Sequence, residues 1–314
     1  AEQTENKEFS KVIQKVSMDI QGGTTLADAM TKHPKVFSGL YTNMVAAGEA
    51  SGSLDEILSR LADYLEKSEA LRRKIKGAMT YPAIVAVVAI GATAAMLTFV
   101  VPTFAQMFLD FGGALPMPTQ IVVALSNFAT KYIVHMVVGA ILIAVAIMQY
   151  YRTERGRFQI DTLKLKLPVF GDLERKSAVS RFSQTLATLL TSGITIIEAL
   201  QITAKTAGNA VLEKGLLRTV ERISGGLTIA EPLRETGVFP PMVIHMIQVG
   251  EQTGGLADML QKVAQFYEEE VNAAVDALTS IIEPIMIVIL GGVVGGMLIA
   301  MYLPMFDMVN AVQG

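Results

Sequence analysis

Residues 48–58 read GEASGSLDEIL, and residues 250–260 read GEQTGGLADML. The two stretches match at an offset of 202 residues (250 minus 48), and from Gly48 to Met107 the second copy aligns with the first without a gap. Pro82 recurs as Pro284 at the same offset. The chain therefore carries an internal duplication, and in each copy the turn precedes a long segment that ends in apolar sequence.

The composition indicates a membrane protein. Of 314 residues, 51% are hydrophobic and 18% are charged, whereas charged residues make up about a quarter of an ordinary soluble domain. Three apolar stretches account for the excess, at residues 83–101, 133–148 and 285–303. A spanning helix needs roughly 20 mainly apolar residues. We therefore predict three transmembrane helices in preference to buried core helices of a large soluble protein.

Several classes of function find no support in the sequence. There are no cysteines, and the net charge is −3, so neither a disulfide framework nor nucleic-acid binding is expected. Neither a G-x-x-x-x-G-K-[ST] phosphate loop nor an H-E-x-x-H pair occurs, and His33, His135 and His245 are not at ligand spacing. We expect no catalytic activity and no cofactor.

Basic residues beside the spans predict the orientation, because Lys and Arg accumulate in cytoplasmic flanks. They occur before the first span at Lys67, Arg72, Arg73, Lys74 and Lys76, and after the second at Arg152, Arg155, Arg157, Lys164 and Lys166. The connection at 103–131 carries only Asp110 and Lys131 and is expected outside. Acidic residues precede the third span, which argues the other way, but they contribute little to the rule. The C-terminal tail then lies outside.

The expected architecture is an all-α membrane protein with two homologous cytoplasmic helical bundles and three transmembrane helices. Apolar residues recur at spacings of three and four outside the spans, which is typical of amphipathic helices. The second bundle begins with helices that have no counterpart before the first, so we expect the first bundle to be truncated at its N-terminus. The expected divisions are 1–81 first bundle, 82–105 first span, 106–130 periplasmic connection, 131–151 second span, 152–282 second bundle, 283–305 third span and 306–314 periplasmic tail.

Capping boxes are expected where a hydroxyl residue precedes an acid by three positions. Thr25–Asp28, Thr228–Glu231, Thr195–Glu198 and Ser53–Glu56 fit this pattern.

The glycines of the duplicated turn, Gly48, Gly52, Gly250 and Gly254, predict tight links between two helices. Glu49 and Glu251 are identical but lie outside the capping boxes. Each could accept bonds from first-turn amides, pair with a basic residue, or dock a partner. A hard-cation site built on Glu49 and Asp55 is the weaker alternative, because calcium takes six to eight oxygen ligands.

The third span carries the small residues Gly291, Gly292, Gly295 and Gly296, in two overlapping G-x-x-x-G patterns. Such patterns let helix backbones approach closely in lipid, either within one subunit, against another subunit, or against the apolar helix of a partner. Glu283 precedes Pro284 at the cytoplasmic end of this span, where the carboxylate is either solvated or turned towards a cationic group. His135 lies towards the outer end of the second span, which favours an interfacial position.

The doubled G-E-x-[ST]-G-x-L turn, each copy followed by a long helix, a proline and a span, resembles the PilC/GspF family. These proteins are the inner-membrane platforms of type IV pili and type II secretion systems. The resemblance covers essentially all of the chain, including the order of the three spans and the short external connection.

The resemblance implies a non-enzymatic, multi-pass inner-membrane platform with two six-helix cytoplasmic bundles, which forms a homo-oligomer. Such a platform couples a cytoplasmic hexameric ATPase to insertion or extraction of pilin subunits in pilus biogenesis and motility. Implied partners are assembly and retraction ATPases, pilins or pseudopilins, other inner-membrane components of the machine, and membrane lipid. The overall resemblance favours the pilus over protein secretion. A small transporter is the rival interpretation, although no span carries a central acid or base.

Overall fold

The computed structural model describes residues 6–110, 116–168 and 170–313, and every regular element in these ranges is a helix. This confirms the predicted all-α class. The helices are α1 Lys7–Gln21, α2 Leu26–Thr31, α3 Gly39–Ser51, α4 Leu54–Ala95, α5 Val101–Asp110, α6 Met117–Tyr151, α7 Glu154–Lys166, α8 Phe170–Thr191, α9 Ile196–Thr206, α10 Ala210–Ser224, α11 Ala230–Glu235, α12 Pro241–Thr253 and α13 Leu256–Gln313, with a π-helical turn at Met96–Val100 between α4 and α5.

The chain forms two compact units. One unit combines residues 1–74 with 155–274, and the other combines residues 75–154 with 275–314. Helices α4 and α13 each run without interruption from the first unit into the second. These two helices follow the two copies of the duplicated turn.

The first unit contains one main hydrophobic core to which both repeats contribute. Phe182 and Leu216 of the second repeat are fully buried, and they belong to the same cluster as Met44 and Leu61 of the first. A smaller cluster around Val45 joins α1, α2 and α3. Because burial of apolar surface is the main source of stability, the two repeats stabilise each other.

Helix α8 is bonded to both helices that leave this unit. The hydroxyls of Tyr64 on α4 and Thr185 on α8 are 3.0 Å apart. Lys176 on α8 pairs with Glu270 on α13 at 2.9 Å, and the hydrogen bond that the Lys176 ammonium donates to the Glu270 carboxylate is the largest cause of the raised pKa of Lys176. Helix α8 therefore contacts equivalent helices of the two repeats through different polar groups.

Three helices of the described residues are long and apolar enough to cross a membrane, Leu54–Phe108, Met117–Tyr151 and Leu256–Phe306. Their apolar stretches lie in the second unit. Most of their apolar side chains are exposed within the chain, as is expected of helices that face lipid. This agrees with the three predicted spans. They meet at a small cluster that includes Leu97 and Met301.

Two hydroxyl groups of α6 donate hydrogen bonds to the other two spans. Ser126 Oγ donates to the carbonyl of Leu97, inside the π-helical turn, and Thr119 Oγ1 donates to the carbonyl of Ala300 at 2.5 Å. Thr119 and Ser126 are seven residues apart, so they lie on one face of α6. Both residues are buried. One helix face thus joins all three spans.

We expect Ser126→Ala to loosen the contact between α6 and the first span. The change leaves the Leu97 carbonyl without its donor in an apolar environment, and hydrogen bonds of this kind contribute about 0.6–2 kcal/mol in membranes. The measurement is the unfolding midpoint of the full chain in mixed micelles as the fraction of SDS rises. Thr130→Val is the matched control, because Thr130 donates at 2.8 Å to Ser126, one turn back on its own helix. Equal midpoint shifts for the two variants would contradict the assignment.

Candidate functional site in the duplicated turn

The second glycine of each turn ends a helix in the left-handed conformation. Gly52 has φ 71° after α3, and Gly254 has φ 75° after α12. L-residues with a Cβ adopt this region at a cost, whereas glycine does not. The helix C-terminus and the change of direction are therefore determined by one residue in each copy.

The first glycine of each turn allows the two helices that flank it to touch. A Cβ on Gly48 would lie 3.1 Å from the Cα of Leu54, and a Cβ on Gly250 would lie 2.8 Å from the Cα of Leu256. Leu54 and Leu256 are the first residues of α4 and α13. The backbone of each following helix thus packs directly on a glycine of the preceding one.

The glutamate of each turn binds the beginning of a third helix. The Glu49 carboxylate accepts hydrogen bonds from the amides of Leu26 at 2.7 Å and Ala27 at 3.0 Å. The Glu251 carboxylate accepts from the amides of Ile229 at 2.5 Å and Ala230 at 3.1 Å. These amides begin α2 and α11, where backbone donors have no partner within the helix and the helix dipole favours a negative charge.

Each turn therefore joins three helices through one short sequence. In the first copy, Gly52 ends α3, Gly48 leaves room for the start of α4, and Glu49 binds the start of α2. In the second copy, Gly254, Gly250 and Glu251 do the same for α12, α13 and α11. The sequence separations are 23 residues for Glu49 to Leu26 and 22 for Glu251 to Ile229. The same geometry occurs in both copies, so the duplication extends to the polar contacts.

The geometry favours positioning over cation binding at Glu49. Both carboxylate oxygens accept from amides, and Asp55 is exposed on the first turn of α4. Within residues 6–110, 116–168 and 170–313, no group of three or more His, Cys, Asp or Glu side chains is placed to hold a metal.

The capping boxes are confirmed only in part. Thr25 Oγ1 accepts from the Asp28 amide at 3.1 Å, as predicted for its hydroxyl. The prediction is wrong at Thr195, whose side chain makes no cap bond, and at Thr228, because Ile229 occupies the N-cap of α11. At α11 the Glu251 carboxylate bonds the amides of Ile229 and Ala230, as Glu49 bonds those of Leu26 and Ala27 at α2. Ser53 shares a 2.7 Å hydrogen bond with Ser51.

The candidate residues of the apolar helices do not pack closely against another helix in the part of the chain that the structure describes. Glu283 and Pro284 are exposed on α13. A Cβ added at Gly291, Gly292, Gly295 or Gly296 would meet nothing within 4 Å in the part of the chain that the structure describes. The small-residue pattern therefore does not serve a close helix contact within these described residues. His135 is exposed, with its ring 6.0 Å from that of Tyr132.

Sequence reasoning missed Thr119 and Ser126, which connect the spans. The available signal was the pair of hydroxyl residues spaced by two helical turns at the start of α6. Their acceptors are main-chain carbonyls, which no sequence pattern marks.

The site and fold together define a duplicated helical scaffold in which each copy extends one helix that is long and apolar enough to cross a membrane. The family described as "Type II secretion system (T2SS), protein F" matches this chain at residues 1–102 and 182–304. The two matches end at Pro102 and Pro304, which are equivalent positions of the repeat. The chain belongs to the PilC/GspF family, whose members are platform proteins of pilus and secretion machinery.

The similarity to individual relatives spans the whole chain. A type IV pilus assembly protein PilC of Myxococcus xanthus is 49% identical over all of this chain and 75% of its own length. The PilC of Thermus thermophilus is 48% identical over 99% of this chain and 77% of its own length. A type II secretion system protein F of Vibrio cholerae is 32% identical over 99% of this chain and 76% of its own length. Family membership and the three apolar helices indicate an inner-membrane protein.

We expect Glu251→Ala to lower the thermal stability of the first unit. The change removes an ionised acceptor from two part-buried amides, and hydrogen bonds to charged groups contribute about 1.5–3 kcal/mol. Glu251→Gln keeps one acceptor oxygen and should have a smaller effect. The measurement is the thermal midpoint of the detergent-solubilised full chain by circular dichroism.

Gln252→Ala is the control for this experiment, because Gln252 is the exposed neighbour on the same helix. Glu49→Ala and Glu49→Gln should give the same order of thermal midpoints, with the largest decrease for Ala, a smaller one for Gln and the smallest for the control. A Glu251→Ala midpoint equal to that of Gln252→Ala would overturn the role given to the carboxylate.

The two glycines should respond to alanine for different reasons. Gly250→Ala places a methyl group against the Leu256 backbone, which cannot rotate away. Gly254→Ala forces alanine to φ 75°, at a cost of about 1–2 kcal/mol. Gly255→Ala is the control, because its nearest neighbour would be Thr253 Oγ1 at 3.6 Å. Thermal midpoints should fall for the first two changes and hold for the third; a fall of the same size at Gly255 would refute this explanation.

Proposed function

We propose that this chain is the platform that couples a cytoplasmic hexameric ATPase to the insertion or extraction of pilin subunits in type IV pilus assembly. It has no catalytic activity of its own in this proposal, and the energy comes from the ATPase. Family membership supports the platform role, since relatives across the whole chain carry the names of pilus assembly and secretion proteins.

The continuity of α13 is the observation that carries the coupling proposal. Its 58 residues run from the duplicated turn to the far end of the third apolar stretch, which corresponds to about 87 Å of helix. At its beginning, Gly250 packs on Leu256, and Glu251 binds the start of α11. A displacement of the bundle would therefore move the membrane segment directly, because no loop lies between them.

The proposed topology places residues 1–81 and 152–282 in the cytoplasm, with the 106–130 connection and the 306–314 tail in the periplasm. The basic flanks of the first two spans support this orientation. The ATPases would then meet the bundles, and pilins would meet the spans. Assembly as a homo-oligomer and contact with other inner-membrane components are part of this proposal, and the family resemblance supports them.

The relatives favour a pilus over a secretion system. Five relatives named as pilus assembly proteins, four PilC proteins and one TapC, are 38–49% identical to this chain, and three type II secretion system F proteins are 31–32% identical. The equivalent platform of a type II secretion system is the alternative, and a small transporter is the more distant one.

In the membrane, we propose that Glu283 and the glycines at 291, 292, 295 and 296 serve helix contacts with a partner. An exposed carboxylate at the cytoplasmic end of the span suits a cationic group of an incoming pilin, such as its amino terminus. The exposed glycines suit a helix that packs closely in lipid. Another copy of this chain is the alternative occupant of the glycine face.

The platform role is tested by deleting the gene in its own organism and complementing it. Surface pili are counted by electron microscopy, and secreted proteins are measured in the medium. We expect pili to disappear with secretion intact, and the wild-type gene to restore them. Loss of secretion with normal pili would instead assign the chain to a secretion system. Normal pili together with normal secretion would overturn the proposal.

Within that strain, we expect Glu283→Gln to reduce the number of pili while the protein remains in the membrane at its usual level. Glutamine keeps the size of the side chain and removes the charge that would attract a pilin amino group. Glu269→Gln, an exposed acid on the same helix outside the apolar stretch, is the control. Normal piliation in the Glu283→Gln strain would eliminate this residue from pilin handling.

A further inference from the structure

We propose that α7 (Glu154–Lys166) and the adjoining end of α10 form a docking surface for anionic phospholipid headgroups. The proposal requires α6 to span the membrane and does not depend on the platform role. It concerns the face of α7, with the residue that follows the helix, that the described residues leave uncovered. We call this face the α7 surface, and it comprises Arg155, Phe158, Leu163, Lys166 and Leu167 with Lys214 and Arg218 of α10.

One side of α7 is held firmly by the second repeat. Asp161 is 1% exposed and accepts from the amide of Ala210, the first residue of α10, at 2.9 Å. Arg157 pairs with Glu213 of α10 at 3.2 Å. These contacts fix the rotation of α7 about its axis, so the opposite side must face outward.

The outward side combines large apolar side chains with basic ones. Phe158, Leu163 and Leu167 are 37%, 61% and 44% exposed. Arg155 and Lys166, which are exposed, lie between Phe158 and Leu163 on the helix wheel. An amphipathic helix that lies in a membrane interface has this combination of residues. The apolar groups can enter the acyl boundary while the basic groups remain at the phosphates.

The basic charge continues onto α10. The Lys214 ammonium lies 5.2 Å from the centre of the Phe158 ring, and Arg218 is exposed one turn further along α10. Asp161 and Glu213 add no unpaired negative charge to this surface, because Asp161 is buried and Glu213 is paired with Arg157. Glu154 is the exposed acid of α7, at its N-terminus. The surface therefore has a positive excess that complements anionic lipid.

Chain connectivity brings α7 to the membrane. Helix α6 ends at Tyr151 and α7 begins at Glu154, so only Arg152 and Thr153 separate them. Two residues reach about 7 Å when extended. If α6 crosses the bilayer, α7 must begin within the headgroup layer. This constraint favours lipid over a protein partner as the occupant of the α7 surface.

The natural absence of cysteine makes a site-directed probe straightforward. Leu163→Cys is labelled with an environment-sensitive fluorophore in the full chain and reconstituted into vesicles of phosphatidylcholine, with or without about a third of phosphatidylglycerol. A nitroxide carried on the lipid headgroup is the quencher. We expect strong quenching with the anionic lipid and less with phosphatidylcholine alone. Leu227→Cys, an exposed leucine between α10 and α11, is the control label and should not be quenched.

Charge reversal then tests the chemistry. In the labelled chain, Arg155→Glu with Lys166→Glu should lower the docked-to-undocked ratio by at least about 30-fold, because each lost basic residue contributes roughly 1 kcal/mol near an anionic surface and the new carboxylates are repelled by it. Lys205→Glu, an exposed lysine at the end of α9, should leave quenching unchanged. Circular dichroism of each variant verifies that the helices remain folded.

Three results would overturn the proposal. The first is quenching at Leu163 no greater than at Leu227 in anionic vesicles. The second is quenching in anionic vesicles that the double reversal leaves intact. The third is protection of Leu163 from aqueous quencher only after a cytoplasmic protein is added, which would make this face a protein interface.

Discussion

The bond between one carboxylate and two helix-initiating amides determines how each repeat is built. Glu49 and Glu251 are placed near the end of one helix, yet they satisfy the beginning of another more than twenty residues earlier. The first amides of a short helix have no internal acceptors, so α2 and α11 depend on these side chains. The carboxylates in turn need fixed partners, because burying an unpaired charge is costly.

The two glycines complete this constraint on the backbone. Gly52 and Gly254 adopt the left-handed conformation with which the chain leaves α3 and α12. Gly48 and Gly250 let the next helix pack against the preceding one. The direction in which α4 and α13 leave the turn therefore follows from a five-residue motif. Local backbone chemistry thus determines where two helices begin that are several times longer than the motif.

The sequence was sufficient for the class of fold, the three spans and the importance of the duplicated turn, because each leaves a strong pattern. Hydropathy marks a span, and repeated glycines mark a turn. First-turn amides were one of the expected partners of Glu49 and Glu251, but the helix that supplies them could not be predicted, because backbone amides look alike in sequence. The same reason explains the failed capping assignments at Thr195 and Thr228, where spacing alone does not decide which acceptor reaches the amide. The core shared by both repeats was also missed, since amphipathic periodicity does not say which helix covers a face.

The two duplicated spans have unequal surfaces, and the described residues show the π-helical turn at Met96–Val100 in the first of them only. A π turn holds more residues than an α turn and so rotates all that follows it about the helix axis. Leu97 is 8% exposed and its equivalent Ile299 is 64% exposed, whereas Phe99 is 75% exposed and its equivalent Met301 is 6% exposed. Residues related by sequence symmetry are thus interior in one span and exterior in the other. The two spans are therefore less symmetric than their sequences, and a helix that fits beside one span meets a different surface on the other.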